Sequence, residues 1–374
     1  MNNFFNKILL KIRHELNCYF PNKTVYSIKE YLTENNLLTN YSTIHPSYNI
    51  EFNSASNVFA EYKNLQFPEI FYCNLGNCIV FKSFEFIATK SSKNLFIQSN
   101  PYNDFYYSPT LFDSYNASIS KKHYLIKEKS TFIKLKNNYY HFYFDTLLRI
   151  IYYNQYLSPN VDLYIDKPFT AWQKEILELL NISNLNYKVI PEEHEYIDFK
   201  HLYFVSFSGL GAGIGDFNAI NLLNSKLIEK LNKSNKQKKI YLSRAKASHR
   251  KVVNENELVQ LLTEKYNFEI IYIEEIKSIS QQYNLFFNAS HIIAVHGASL
   301  TNLIITKDIY VVELLNEQHL VTSYSHISNC LNNKYFPVLC ENQGEGDIIG
   351  KEKSFVHNDI IVNIDAIDKV LCDL

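Results

Sequence analysis

Apolar and polar positions repeat with different periods along this chain, and the change of period divides it. Residues 55–130 carry short β-rich runs; "NCIVFKSFEFIATKSSKNLFIQS" contains two of them, split by a Ser/Lys turn. From 138 to 157, "NYYHFYFDTLLRIIYYNQYL" has apolar positions at the three-and-four spacing of a helix. "VDLYID" then predicts a strand, "AWQKEILELL" a helix, and "LNYKVI" and "HLYFVSFS" two more strands. Strand and helix in alternation predict a parallel sheet.

Residues 232–239, "NKSNKQKK", are polar and basic and predict a solvated boundary. Beyond it the pattern is more regular. "KIYLSR", "FEIIYI", "HIIAV" and "IYVVELL" predict strands with helical segments between them. Asn254 with Glu257, and Ser278 with Gln281, have the spacing of capping boxes. The expected organisation is a first half over 1–235, β-rich at 55–130 and α/β at 138–230. A compact Rossmann-like unit over 236–345 follows, then a tail over 346–374 that packs back on the first half.

Composition narrows the classes. At 374 residues the chain can bury two cores. Its 37 basic and 38 acidic residues nearly cancel, which argues against nucleic acid as a partner. Cys18, Cys73, Cys78, Cys330, Cys340 and Cys372 form no CxxC pair, and they read as reduced thiols of a cytoplasmic protein. Asn and Lys are frequent, as an AT-rich coding sequence would make them, so glycosylation-like matches at Asn116 and Asn181 carry no information. No apolar stretch reaches the roughly 20 residues of a membrane span. The N-terminal "MNNFFNKILLKIRHELNCYF" mixes Phe4, Phe5, Ile8, Leu9 and Ile12 with Lys7, Lys11 and Arg13. Such a helix either packs on its own domain or lies peripherally on an anionic inner-membrane surface.

The stretch with most chemistry is "HIIAVHGASLTNLII", residues 291–305. A predicted strand ends in His296, Gly297 and Ala298, where a helix begins. In an open parallel sheet ligands sit beyond the carboxyl ends of the strands. A helix start offers unpaired N–H groups to an anion. Small residues allow a phosphate to approach, and Ser299 and Thr301 could add hydroxyl donors. A tight turn that needs glycine for backbone reasons is the plainer explanation. Arg244, at the end of the first strand of this unit, points to the same crevice.

"VHGASLTNLI" followed by "VVELL" resembles the signature of family 61 glycosyltransferases. "YLSRAKASHRKVVNENELV" (241–259) and "YYHFYFDTLLRI" (139–150) resemble two further segments of that family, in the same order. The resemblance covers roughly residues 65–320 and implies a GT-B fold: two Rossmann-like domains facing a cleft, here with β-rich N-terminal additions. It also implies an inverting transfer from a nucleotide-sugar donor, usually a UDP-sugar. Among bacterial members the acceptor would be a glycan or lipid-linked glycan of a capsule or lipopolysaccharide.

On that reading the second half holds the donor and the first half receives the acceptor. Arg244 would grip the diphosphate bidentately. Arg250 is either a second phosphate contact or an ion-pair partner of Glu255. His296 could donate to phosphate or sugar, or be structural. Glu313, taken to end its strand, could accept both ribose hydroxyls or form a salt bridge within the domain. Asn302 could touch donor or tie the loop together. No Asp-x-Asp stands at a strand end of the second half, so no metal ligand is named and no cofactor is required. Transfer also needs a general base. His141, Asp145 and Arg149 fall at i, i+4 and i+8, one helix face. Asp145 either orients His141 as base or is the base itself; the pair could equally be structural. "SFSGLGAGIGDF" (206–217) has four glycines in seven residues and reads as a mobile or tightly turning loop. The rival readings are a non-catalytic sugar- or nucleotide-binding protein and a Rossmann oxidoreductase. The latter lacks its GxGxxG.

Overall fold

The computed structural model describes residues 27–51, 58–59, 64–83, 85–89, 95–96, 123–210, 214–231, 237–349 and 352–374. The basic stretch 1–20, Cys18, Asn116, Gly211, Gly213 and residues 232–236 of the expected boundary lie outside them.

The first sheet has eight strands. Its spine is Ile70–Phe81, whose side chains are largely buried on both faces. Tyr41–His45 and Phe86–Thr89 pair antiparallel with the two ends of one edge. Leu95–Phe96 extends the sheet beyond Phe86–Thr89. Tyr196–Val205 runs antiparallel along the other edge. From there the sheet turns parallel: Tyr196–Val205, His123–Ile133, Asp162–Ile165 and Tyr187–Val189. The β-rich region is therefore no addition to a Rossmann-like domain. It shares one mixed sheet with the α/β region, because Tyr196–Val205 pairs with both.

The second sheet follows the expected pattern more closely. Its spatial order is Glu269–Ile271, Lys238–Leu242, Ala289–Val295, Tyr310–Asn316, Lys334–Gln343 and Asp359–Ile361. The first five are parallel and the last is antiparallel. Numbered along the chain the parallel order is 2-1-3-4-5, a doubly wound arrangement. Its order reverses between Lys238–Leu242 and Ala289–Val295. The fold is thus mixed α/β with parallel sheets, consistent with a glycosyltransferase fold.

Two local expectations fail for identifiable reasons. The tail packs on the second sheet, not on the first half. Asp359–Ile361 pairs with Glu341–Gln343, and Ile367 and Leu371 join the core formed by Val252, Leu258 and Val338. Asn254 makes no cap; its amide clamps the tail, donating to Val362 O at 2.8 Å while its Oδ1 accepts from Val362 N at 3.0 Å. Ser278 does cap, accepting from Gln281 N at 3.3 Å.

The halves meet along a buried aromatic seam. Tyr139–Tyr156 is helical throughout, with a π-helical stretch at Phe142–Leu147. Tyr139 donates to Asn302 Oδ1 at 2.7 Å, and Tyr143 and Tyr283 share a hydrogen bond. Glu175 accepts from Ser278 Oγ at 2.7 Å and Ser280 N at 2.9 Å, holding the start of helix Ile279–Phe287. One continuous core joins Leu147 and Ile151 of the first half to Phe286, Leu303 and Ile327 of the second. Among the described residues no helix is long and apolar enough to cross a membrane.

Candidate functional site

The carboxyl ends of Lys238–Leu242 and Ala289–Val295 lie side by side, with Leu242 opposite Ala294. Each strand continues by two residues to reach Arg244 and Gly297. Gly297 has an extended φ of 178°, which any residue can adopt, so backbone strain does not explain it. Space does. A Cβ at 297 would sit 2.7 Å from Arg244 Nη1. The glycine lets the guanidinium lie against the turn that opens the 3-10 helix Ala298–Ile305. Its first residues, Ala298 and Ser299, are half-buried, and Thr301 is fully buried.

Arg250 stands beside Arg244. Its backbone is left-handed, φ 58°, an uncommon state for a non-glycine residue. Arg250 Nε donates to Val356 O at 2.6 Å and Nη1 to His296 O at 3.2 Å. Arg244 donates to His249 O through Nε at 3.3 Å and Nη2 at 3.0 Å. Among the described residues neither guanidinium forms an ion pair. Glu255, the alternative partner of Arg250, instead accepts from Tyr241 and Ser243, both at 2.8 Å. Burial lowers both arginine pKa values from the ordinary one, and Arg244 lowers that of Arg250 further. Both groups remain charged, since a guanidinium does not lose its proton in proteins. Two half-buried cations stand side by side without an ion pair among the described residues, with Glu274 and Asp359 acting on Arg244 from further off, an arrangement able to take up an anion.

Glu313 is not at a strand end. It lies within Tyr310–Asn316, fully buried. His296 Nδ1 is 2.6 Å from its Oε1, and Tyr335 donates to its Oε2 at 2.5 Å. Both oxygens are taken, so Glu313 is aimed at His296 and not at a ribose. Asn302 is also fully buried. Its Oδ1 accepts from Tyr139 and its Nδ2 donates to Gln282 Oε1 at 3.1 Å. It fastens the seam between the halves.

His141 Nδ1 and Asp145 Oδ2 are 3.0 Å apart, with side-chain exposures of 30% and 7%. The histidine therefore reaches solvent while the carboxylate holds it from behind. Arg149 does not share their face. It is fully buried, paired with Glu85 at 2.5 Å, and its Nε donates to Val205 O at 2.9 Å. The π-helical turn between Asp145 and Arg149 shifts the register, which simple i+8 counting ignores. A run of ring contacts joins the two places: His141 to Tyr140 at 5.6 Å, Tyr140 to Tyr324 at 5.7 Å, and Tyr324 to His296 at 5.1 Å.

Of the glycine loop, the described part is a short antiparallel pair, Gly209–Leu210 with Ile214–Gly215, and residues 211–213 lie outside the described residues. Gly215 packs on Phe144, where a Cβ would come within 2.5 Å of the ring. Sequence reading missed Tyr324, His319, His249 and His357. His319 lies 6.1 Å from His296, and its pKa is pushed down to about 4, mainly by burial and then by His296, Arg250 and His357. The His249 and His357 rings are 4.7 Å apart. No spacing signal marked them, because they come from three separate segments: the loop after Lys238–Leu242, the stretch after Asn316 and the tail.

No curated protein matches the chain. Residues 139–312, just under half of it, match the family model described as Glycosyltransferase 61. That region holds His141, Asp145, Arg244, Arg250 and the 296–302 turn, and it stops one residue before Glu313. The match supports glycosyltransferase family 61, and with it glycosyl transfer as the class of reaction.

Proposed function

We propose that this protein is an inverting glycosyltransferase that moves a sugar from a nucleotide donor, a UDP-sugar, to a hydroxyl of a glycan or lipid-linked glycan in bacterial surface-polysaccharide synthesis. The observation that carries the reading is the pair of guanidinium groups without an ion pair, Arg244 against Gly297 and Arg250 on the His296 carbonyl, at the reversal point of a parallel sheet. A diphosphate placed there meets two fixed cations and the N–H groups of a helix start. The family match supports reading that anion as the diphosphate of a sugar donor.

On this reading the diphosphate is the leaving group, and the positive charge that stabilises it comes from the chain, without a metal. The acceptor hydroxyl loses its proton to the His141–Asp145 pair as its oxygen attacks the anomeric carbon. The bond from that carbon to the phosphate oxygen breaks, and the electron pair leaves with the nucleoside diphosphate. Asp145 orients the imidazole; His141, the more exposed member, meets the acceptor. A cytoplasmic site, with the N-terminal basic stretch touching the inner membrane, would bring the enzyme to lipid-linked acceptors. Calorimetry with UDP tests the donor site. Arg244→Ala should weaken binding at least roughly tenfold, the worth of one charge-assisted hydrogen bond. Unchanged affinity in a folded variant rejects the placement.

A further inference from the structure

With Glu313 enclosed by His296 and Tyr335, the ribose of a nucleotide donor lacks the acceptor that the sequence suggested. A vicinal diol calls for two acceptor atoms side by side, which one carboxylate supplies. Most carboxylates around Arg244 are already engaged. Glu255 accepts from Tyr241 and Ser243, both at 2.8 Å. Asp359 accepts from Lys251 N at 2.7 Å, and Glu275 is ion-paired with Lys246. Glu274 is exposed, and among the described residues nothing hydrogen-bonds to or pairs with its carboxylate.

Sheet register sets the place of Glu274. Glu269–Ile271 runs beside Lys238–Leu242, with Ile271 opposite Leu242, and Ser243 N still donates to Ile271 O at 2.9 Å. The two strands leave the sheet together, one to Arg244 and the other into the 3-10 turn Ile273–Glu275. Lys246 ties the two exits, lying 4.2 Å from the Tyr272 ring centre and pairing with Glu275. Burial lowers the Arg244 pKa, and Glu274 is foremost among the charged groups that oppose it. The carboxylate therefore stands near the guanidinium without pairing with it. Along the strand ends the order is Glu274, Arg244, Gly297. Glu317 follows Tyr310–Asn316, on the far side of Gly297 from Arg244.

A nucleotide sugar is linear: sugar, diphosphate, ribose, base. On the donor reading the sugar faces His141, which is reached from His296 through Tyr324 and Tyr140. The nucleoside then runs the other way from the diphosphate, past Arg244 to the end of Glu269–Ile271. We propose that Glu274 is the ribose acceptor of the donor site, its two carboxylate oxygens taking the 2′ and 3′ hydroxyls of the nucleotide. This rests on the donor reading above and adds the nucleoside end to it. Glu274 makes the site choose ribonucleotides over 2′-deoxyribonucleotides, because a missing hydroxyl leaves one carboxylate oxygen without its donor. It also disfavours a bare diphosphate, whose charge it repels without a ribose to hold.

The test is calorimetry of the full-length protein with UDP, 2′-deoxy-UDP and inorganic pyrophosphate. The unaltered protein should bind UDP roughly tenfold more tightly than 2′-deoxy-UDP, the worth of one charge-assisted hydrogen bond. Glu274→Ala should bring the two nucleotides to nearly equal affinity. Glu274→Gln keeps one acceptor oxygen and should fall between. Pyrophosphate should bind Glu274→Ala as tightly as the unaltered protein or more tightly, since the variant removes a negative charge. A residue that only shapes the turn would weaken all three ligands alike, and that result overturns the proposal. So does a preference for UDP over 2′-deoxy-UDP that survives in Glu274→Ala. If the unaltered protein binds UDP and 2′-deoxy-UDP equally, the donor reading stands and the ribose proposal alone has failed. If it binds neither nucleotide, both fall together.

Discussion

Two histidine–carboxylate pairs flank the site, and they are built differently. His141 and Asp145 are four residues apart on one helix, and their histidine is 30% exposed. His296 and Glu313 come from neighbouring strands, seventeen residues apart, and their carboxylate is fully buried. The first pair is a local device whose ring looks outward, as the base role proposed for it requires. The second is locked by sheet register, with Ala294 opposite Glu313 and His296 N donating to Leu314 O at 3.0 Å. A rigid, sealed pair suits a fixed partner such as a diphosphate. The same chemistry is thus made accessible or enclosed according to whether a helix or a sheet supplies it.

The largest expected effect separates the pairs by function. Asp145→Asn and His141→Ala should each slow transfer by roughly 10²–10⁴-fold, the usual worth of a general base, with UDP affinity nearly unchanged. Transfer rates and melting curves on the same preparations decide it; normal turnover in a folded variant removes that residue from the chemistry. Stability should rank the pairs in the opposite order. Glu313→Ala breaks a sealed pair and should cost about 3–5 kcal/mol. Asp145→Ala leaves a histidine that water can reach and should cost about 1–2 kcal/mol. Equal losses in urea titration would mean that burial does not distinguish them.

Smaller effects sharpen the boundary of the second site. Gly297→Val puts carbon where Arg244 Nη1 lies, 2.7 Å from the new Cβ. The guanidinium must move, and UDP binding should weaken roughly tenfold, much as for losing one charge-assisted contact. Because φ at 297 is extended, the fold should hold, and an unchanged affinity would show that the arginine has room to adapt. The smallest change belongs to the seam. Tyr139→Phe loses the bond to Asn302 and should cost about 1 kcal/mol. It should leave UDP affinity and transfer unaltered; a lost transfer rate would instead make the seam part of the mechanism.

Reading the sequence alone located much of this because parts of it are local. Strand and helix periods marked four of the five parallel strands of the second sheet, all but Lys334–Gln343, and the i, i+4 spacing paired His141 with Asp145. A strand end rich in small residues pointed to Gly297 and Arg244, and sheet order brought them together. What failed depended on partners distant in the chain. The sequence places Glu313 at a strand end, with a ribose contact and a salt bridge within the domain both open, because it shows neither the strand's true end nor Tyr335 across the sheet. It leaves Asn302 open between a donor contact and a structural tie because its partner Tyr139 is 163 residues away.

The sequence by itself determined most of the segments that are helix or strand, and which side chains are candidates for chemistry. Both follow from short-range geometry: side-chain period, caps and the size of a residue at a turn. Only the tertiary structure decided which face each group uses. A π-helical turn sent Arg149 to Glu85 and away from His141. A strand pairing with both neighbours merged the β-rich region into one sheet, and sheet register gave His296 its carboxylate. Burial and register are properties of contacts between distant segments, and a one-dimensional pattern carries no record of which segment lies opposite.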